Sequence, residues 1–254
     1  MVAQIYSLFT VSLILAIILP GDTRAAEIDH AARYRACMAM VKTDPKKAFS
    51  DAIRWRDLGG NEGANHCAAA ALIGLEQYGE AAVRLEGLAL GSKQKPELRG
   101  RILSQASAAW LLAGNATRAE AAATAALTLA PEHAGIFVDR AQARALLNDY
   151  RGALEDLDAS LKRTPNDVDA LVFRATAKRY LKDIPGAAAD ITTALQINNS
   201  HPEALLERGI LRRLSNFDKG AREDWLTVLS IAPESDAAAA ARVNLEKMDV
   251  RLRP

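Results

Sequence analysis

The sequence predicts an all-α protein whose paired helices stack into a solenoid, and two observations support this fold class. Alanine, the best helix former, provides 51 of the 254 residues, whereas aromatic residues amount to only 5%. In addition, residues of one type recur every 34 positions, which is a typical period of helix–turn–helix units in repeat proteins. Because half of the residues are hydrophobic, the chain can build a substantial buried core.

The first 25 residues are predicted to be a signal peptide rather than part of the fold. Ile5 to Leu19 is an apolar stretch that ends at Pro20, and as a helix it would be about 22 Å long, shorter than the ~30 Å hydrocarbon layer of a membrane. The small residues Thr23 and Ala25 are placed for cleavage after Ala25. Since no Lys or Arg precedes the apolar stretch, an uncleaved membrane anchor stays open as the alternative. We therefore expect a periplasmic or secreted protein.

Residues 26–99 are predicted to form two degenerate helix pairs. Apolar residues keep helical spacing from 35 to 58 and from 67 to 90, and Gly59 and Gly60 break the pattern between them. Cys37 and Cys67 would lie on the first helices of these neighbouring pairs, and their separation of 30 residues is one period minus about one helical turn. In an exported chain we expect the two cysteines to form a disulfide, while in the cytosol they would be buried thiols. A zinc site is not expected, because no histidine lies at ligand spacing from them.

Residues 100–235 are predicted to form four regular units, 100–133, 134–167, 168–201 and 202–235, which align without insertion or deletion. Each unit contains two predicted helices; in the second unit, the second helix is expected over Tyr150–Arg163 and must stop before Pro165. Small residues recur on both helices, Ser107, Ala141, Ala175 and Gly209 on the first and Ala119, Ala153, Ala187 and Ala221 on the second. Four residues after the second set come Ala123, Leu157, Ile191 and Trp225. Residues 236–254 are expected to form a C-terminal capping helix and a tail.

These columns, together with the unit-ending prolines Pro131, Pro165 and Pro233, resemble the tetratricopeptide repeat (TPR) family. The family's signature tryptophan and tyrosine of the first helix are mostly replaced, with Trp110 as a partial survivor. The resemblance implies a right-handed superhelical solenoid of about six helix pairs plus the capping helix. It also implies a non-catalytic protein that binds peptides or proteins, and the alanine- and arginine-rich chain resembles an exported bacterial envelope protein.

Two charged columns share the 34-residue period. The arginines are Arg140, Arg174 and Arg208, and the aspartates, each 16 residues later, are Asp156, Asp190 and Asp224. In the first regular unit both positions are alanine, Ala106 and Ala122, so the two charges are present together and absent together. This pattern predicts structural ion pairs between the two helices of a unit, with an anionic ligand on the arginines as the alternative.

The resemblance further implies that the first helices line a concave face on which a partner binds. The candidate groove residues on this face are Val138, Gln142, Val172, Thr176, Arg179, Leu206, Ile210 and Arg213. They predict a mildly apolar groove with Arg179 and Arg213 on one margin, which suits an extended or helical peptide. The family's chaperone-binding members hold a terminal carboxylate with polar groups at the places of Val138, Val172 and Leu206, so that activity is not implied here. The alternative is a face that is apolar only because its own turns pack inward.

No catalytic site is expected in this sequence. It has no P-loop, GxGxxG, HExxH or GxSxG motif, and neighbouring acids such as Glu155 and Asp156 point about 100° apart on a helix, so they cannot act as one acid–base pair. No metal or cofactor is expected, and a formal charge of +1 argues against nucleic acid as a partner. We interpret the chain as a non-catalytic adaptor or scaffold of the cell envelope that binds a protein or peptide on its concave face. The alternative is a membrane-tethered accessory subunit of an envelope complex, with an uncleaved N-terminal anchor and a convex working surface.

Overall fold

The computed structural model describes residues 28–251, and this part of the chain is built from thirteen α-helices without a strand. The predicted signal peptide, residues 1–25, and residues 252–254 of the predicted tail lie outside the described residues. In chain order the helices are α1 His30–Val41, α2 Pro45–Trp55, α3 Asn61–Gly74, α4 Tyr78–Gly91, α5 Pro96–Leu112, α6 Ala116–Leu129, α7 Ala134–Leu146, α8 Tyr150–Arg163, α9 Val168–Tyr180, α10 Ile184–Ile197, α11 Pro202–Leu214, α12 Asp218–Ile231 and α13 Asp236–Arg251.

The helices stack as six consecutive antiparallel pairs, α1–α2 to α11–α12, followed by the single helix α13. Helix α8 has the bounds predicted from the sequence, and α5 begins at Pro96, four residues before the predicted start of the first regular unit. In the regular part, first helices of adjacent pairs contact one another more closely than second helices do. The first helices therefore line the inner side of the curve and the second helices its outer side, as in a superhelical solenoid.

The turn inside each pair has the same geometry in the last five pairs. One residue per turn has a positive φ between 60° and 71°, namely Glu76, Gly114, Asn148, Lys182 and Asn216. In the second regular unit the next N–H, that of Asp149, donates to the carbonyl of Arg144 at 2.9 Å, which closes the first helix with a Schellman motif. The Asp149 carboxylate then accepts the N–H of Gly152 at 2.9 Å and caps the following helix.

The 34-residue columns of small and bulky residues form the core between the paired helices. The small residues Ser107, Ala141 and Ala175 and the facing residues Leu157, Ile191 and Trp225 are each at most 1% exposed. The unit with the largest second-helix residue, Trp225, has glycine on its first helix, and a Cβ at Gly209 would overlap the indole ring. In this unit the glycine on the first helix makes room for the indole ring on the second.

The first two pairs are tied together by the cysteines. Cys37 in α1 and Cys67 in α3 form a disulfide pair with their Cα atoms 6.2 Å apart, within the usual range for a disulfide. Both side chains are buried, at 6% and 0% exposed. The fold therefore brings together two residues that lie 30 positions apart, on the first helices of neighbouring pairs, and their oxidation in the cell stays a prediction.

Candidate partner-binding surface

The charged columns lie between the helices of each unit. Each arginine donates hydrogen bonds from both Nε and Nη2 to the aspartate 16 residues later, and in the third unit Arg174 Nε and Nη2 lie 2.9 and 2.7 Å from the Asp190 carboxylate. The pairs Arg140–Asp156 and Arg208–Asp224 repeat this arrangement. The three aspartates are 3–5% exposed, so each negative charge is buried beside its guanidinium. Hydrogen bonding to Asp190 raises the pKa of Arg174, and the geometry is that of ion pairs holding two helices together.

A second column of cations shares the same aspartates. Arg144, Lys178 and Arg212 recur at the 34-residue period, and each contacts the buried aspartate of its unit at 2.8–2.9 Å. Sequence reasoning missed this column, although its period alone could have revealed it. Each buried aspartate is therefore held by two cations, one helical turn apart on the first helix.

The middle of the inner face is more closed than the sequence predicted. Val138 is 9% exposed and Val172 5%, and both belong to the hydrophobic core. The expectation that these two residues are exposed in a groove is therefore wrong, because adjacent first helices approach closely here and bury them. Leu206 and Ile210 are half-buried against the same core, while the predicted groove residues Gln142 and Thr176 stay partly exposed.

The inner face also carries polar contacts between adjacent units. Arg179 Nε donates to Glu207 Oε1 at 2.5 Å and Nη2 to Oε2 at 3.2 Å, and Glu207 is only 4% exposed. Burial lowers the pKa of Arg179, but the hydrogen bonds and negative charge of Glu207, with a contribution from Tyr180, together raise it above its ordinary value. In the preceding units Ser104 donates a hydrogen bond to the Asp139 carboxylate. Burial raises the pKa of Asp139 to about 6, although this hydrogen bond lowers it. Of the two predicted margin arginines, Arg179 is thus paired within the fold.

Exposed apolar side chains form a ridge along one edge of the inner face. The ridge consists of the last residues of four successive first helices, Leu112, Leu146, Tyr180 and Leu214, which are 58%, 63%, 49% and 57% exposed. Leu147, Leu181 and Phe217 flank it in the adjoining turns, so this edge holds seven of the sixteen exposed large hydrophobic residues of the described chain. Tyr180 is also stacked on Tyr150, with ring centroids 4.2 Å apart. This column too follows the 34-residue period, but its residues are not among the predicted site residues.

Three other kinds of feature bear on function, namely clefts, metal-binding groups and membrane-spanning helices. A cleft of about 350 Å³ opens at the N-terminal end between α1 and α2, beside Cys37 and Trp55. Over residues 28–251, no three His, Cys, Asp or Glu side chains converge as a metal-binding group. The helices within this range are also too short or too polar to cross a membrane.

The chain matches no protein-family model and no curated protein, but it is similar to several solved structures. It superposes on Pseudomonas aeruginosa pilF with a TM-score of 0.66 and 13% identity, covering 85% of this chain and 97% of that one. A tetratricopeptide repeat protein from Parabacteroides merdae gives a TM-score of 0.66 and 14% identity, covering 87% and 86%. YrrB, described as a TPR protein with an unusual peptide-binding site, gives 0.52 and 16%, covering 77% and 97%. At these identities the likeness establishes the fold, a TPR-like solenoid.

Proposed function

We propose that this protein is a non-catalytic scaffold that binds a protein or peptide partner on its inner face. The apolar ridge of Leu112, Leu146, Tyr180 and Leu214 carries this proposal. Exposed apolar side chains that line up over four repeats are unusual on a protein without a partner, because their hydration is unfavourable. The partly exposed groove residues Gln142, Thr176 and Ile210 extend this surface towards the middle of the face.

The spacing of the ridge favours a helical segment as the partner. Packed helices lie about 8–10 Å apart, so successive ridge residues are separated by roughly that distance. An α-helix rises about 10.5 Å over seven residues, and a helix with an apolar residue at every seventh position can place one on each ridge residue. The description of YrrB as a peptide-binding TPR protein agrees with this kind of partner.

Export to the periplasm, with cleavage after Ala25, is part of the same proposal. It is supported by the apolar stretch from Ile5 to Leu19 and by two buried cysteines that the fold places as a pair. The intact mass of the protein purified from its native cells tests it. Loss of the first 25 residues is the expected result, and their retention would favour the membrane-tethered alternative.

Photo-crosslinking in the native cell tests the binding surface. A photoreactive amino acid replaces Leu146 on the ridge, and a control probe replaces Thr192, which is exposed on the outer helix α10. We expect one discrete adduct from the Leu146 probe, and its loss when Leu214 on the same ridge is changed to Ser. An adduct from Thr192 with none from Leu146 would contradict the proposal and place the working surface on the convex side.

A further inference from the structure

Arg213 is a half-buried cation whose Nη1 has no hydrogen-bond acceptor among the described residues. Its side chain is 21% exposed, and Nη1 is buried without an acceptor. The nearest carboxylate oxygen, Asp218 Oδ1, is 3.9 Å away on a side chain that is 57% exposed. At that distance the carboxylate is too far from Nη1 to accept a hydrogen bond. Nη1 itself is closed to solvent, so an incoming carboxylate would reach the guanidinium through the 21% of the side chain that is exposed. A cation with no close acceptor in the fold favours a ligand that brings a negatively charged one, because charge-assisted hydrogen bonds are strong.

The preceding unit shows what a partner for this arginine looks like. Arg179 occupies the same position 34 residues earlier, and Glu207 of the next unit binds it with two hydrogen bonds. Glu207 lies 28 residues after Arg179, and the residue 28 positions after Arg213 is Ala241 in α13. The last unit therefore repeats the arginine and lacks the carboxylate.

Two exposed apolar side chains lie close to Arg213 in the sequence. Leu214, the last residue of the ridge, follows it directly, and Phe217 in the adjoining turn is 52% exposed and has the guanidinium of Arg212 over its ring at 5.7 Å. A small anion would leave these side chains in water, whereas a peptide segment covers them while it supplies the charge. The site therefore combines an unused cation with an apolar rim.

We infer that Arg213 is the receptor for an Asp or Glu side chain of the bound partner, next to an apolar residue that packs on Leu214 and Phe217. The inference rests on the proposed function and adds to it the chemistry of one anchor. The incoming carboxylate takes, in the last unit, the place that Glu207 takes beside Arg179. Its two oxygens match the guanidinium fork, and the pairing fixes where along the solenoid the partner begins or ends.

Selection from a peptide display library tests the inference without a known partner. The immobilised full chain is offered random 16-residue peptides, and the wild type is expected to enrich peptides with Asp or Glu close to Leu, Ile or Phe. Arg213→Glu is expected to shift the enrichment from acidic to basic residues, and Arg213→Ala to remove the acidic preference. The control is Arg151→Ala, which removes an exposed arginine and the same charge, and should keep the wild-type preference.

The affinity that Arg213 contributes is measured with one selected peptide. We expect its Kd, measured by fluorescence anisotropy, to rise about tenfold or more in Arg213→Ala, and to stay within about twofold in Arg151→Ala. Thermal melts by circular dichroism should be alike for the wild type and Arg213→Ala, because Arg213 makes no short ion pair in the fold. Peptides that bind the wild type and Arg213→Glu equally well would overturn the inference and leave the scaffold function standing. Failure to enrich any peptide would contradict the peptide-binding function itself.

Discussion

Asp139 is predicted to destabilise the solenoid at neutral pH, and Asp139→Asn to relieve this. Its carboxylate accepts a hydrogen bond from Ser104 of the preceding unit and has no cation within 4 Å among the described residues. Burial raises its pKa from 3.8 to about 6, although the bond from Ser104 lowers it. An asparagine of the same shape keeps an acceptor for Ser104 and carries no charge.

The sign of the effect follows from proton linkage. The unfolded chain ionises Asp139 near pH 3.8 and the folded chain only near 6, so the folded state binds the proton more tightly. The contribution of Asp139 to stability is fully present below pH 3.8, falls as the pH rises to about 6, and stays low above it. Each pKa unit is worth about 1.4 kcal/mol, so the full shift corresponds to ~3 kcal/mol. This is the upper limit of an expected range of about 1–3 kcal/mol, because solvent around the partly exposed side chain weakens the effect.

Urea unfolding followed by circular dichroism at pH 4.0 and pH 7.5 measures this difference. Asp139→Asn should exceed the wild type in free energy of unfolding by about 1–3 kcal/mol at pH 7.5, and by well under half of that at pH 4.0. Asp57→Asn serves as the control, because this side chain is 64% exposed and should show little change at either pH. A gain from Asp139→Asn that is equal at both pH values, or a loss at pH 7.5, would refute the reasoning.

Three further predictions concern the ion pairs, the helix spacing and the disulfide. Arg174→Ala should lower the free energy of unfolding by about 2–4 kcal/mol and leave partner binding unchanged, because Asp190 stays buried with one cation fewer; unchanged thermal stability would contradict this. Gly209→Ala should cost about 1–3 kcal/mol, because the new methyl group overlaps Trp225, and a second change of Trp225 to Leu should recover part of the loss in urea titrations. When the unreduced protein is unfolded in urea, neither Cys37 nor Cys67 should react as a free thiol. Reduction should lower the free energy of unfolding by ~3.5 kcal/mol, because the disulfide closes a loop of 30 residues. A stoichiometric thiol signal before reduction would refute this last prediction.

The parts of the fold that the sequence predicts well are those set within one unit. The helices, their inner turns and the 16-residue spacing of Arg174 and Asp190 depend on local periodicity, which is visible in a single chain. The burial of Val138 and Val172 depends instead on how closely adjacent units approach, and no spacing within the sequence gives that distance. The exposed ridge lies between these cases, since its 34-residue period is visible but its exposure is known only once the turns are placed.

The position of a residue in the stack therefore decides between stability and binding. Arg140, Arg174 and Arg208 face an aspartate of their own unit, and their role is the same wherever the unit stands. Arg179 is bound by Glu207 of the following unit, whereas Arg213, at the same position of the next unit, has only the exposed carboxylate of Asp218 at 3.9 Å. A repeat protein can in this way open a binding site through a change in the following helix, here Ala241 in α13, without a change in the unit that carries the site. Ala241→Glu tests this argument: it should pair with Arg213, raise the melting temperature if the new carboxylate fits beside α11, and abolish the preference for acidic peptides. If Arg213 pairs with the new carboxylate and the preference for acidic peptides is nevertheless retained, a residue other than Arg213 binds the partner's carboxylate.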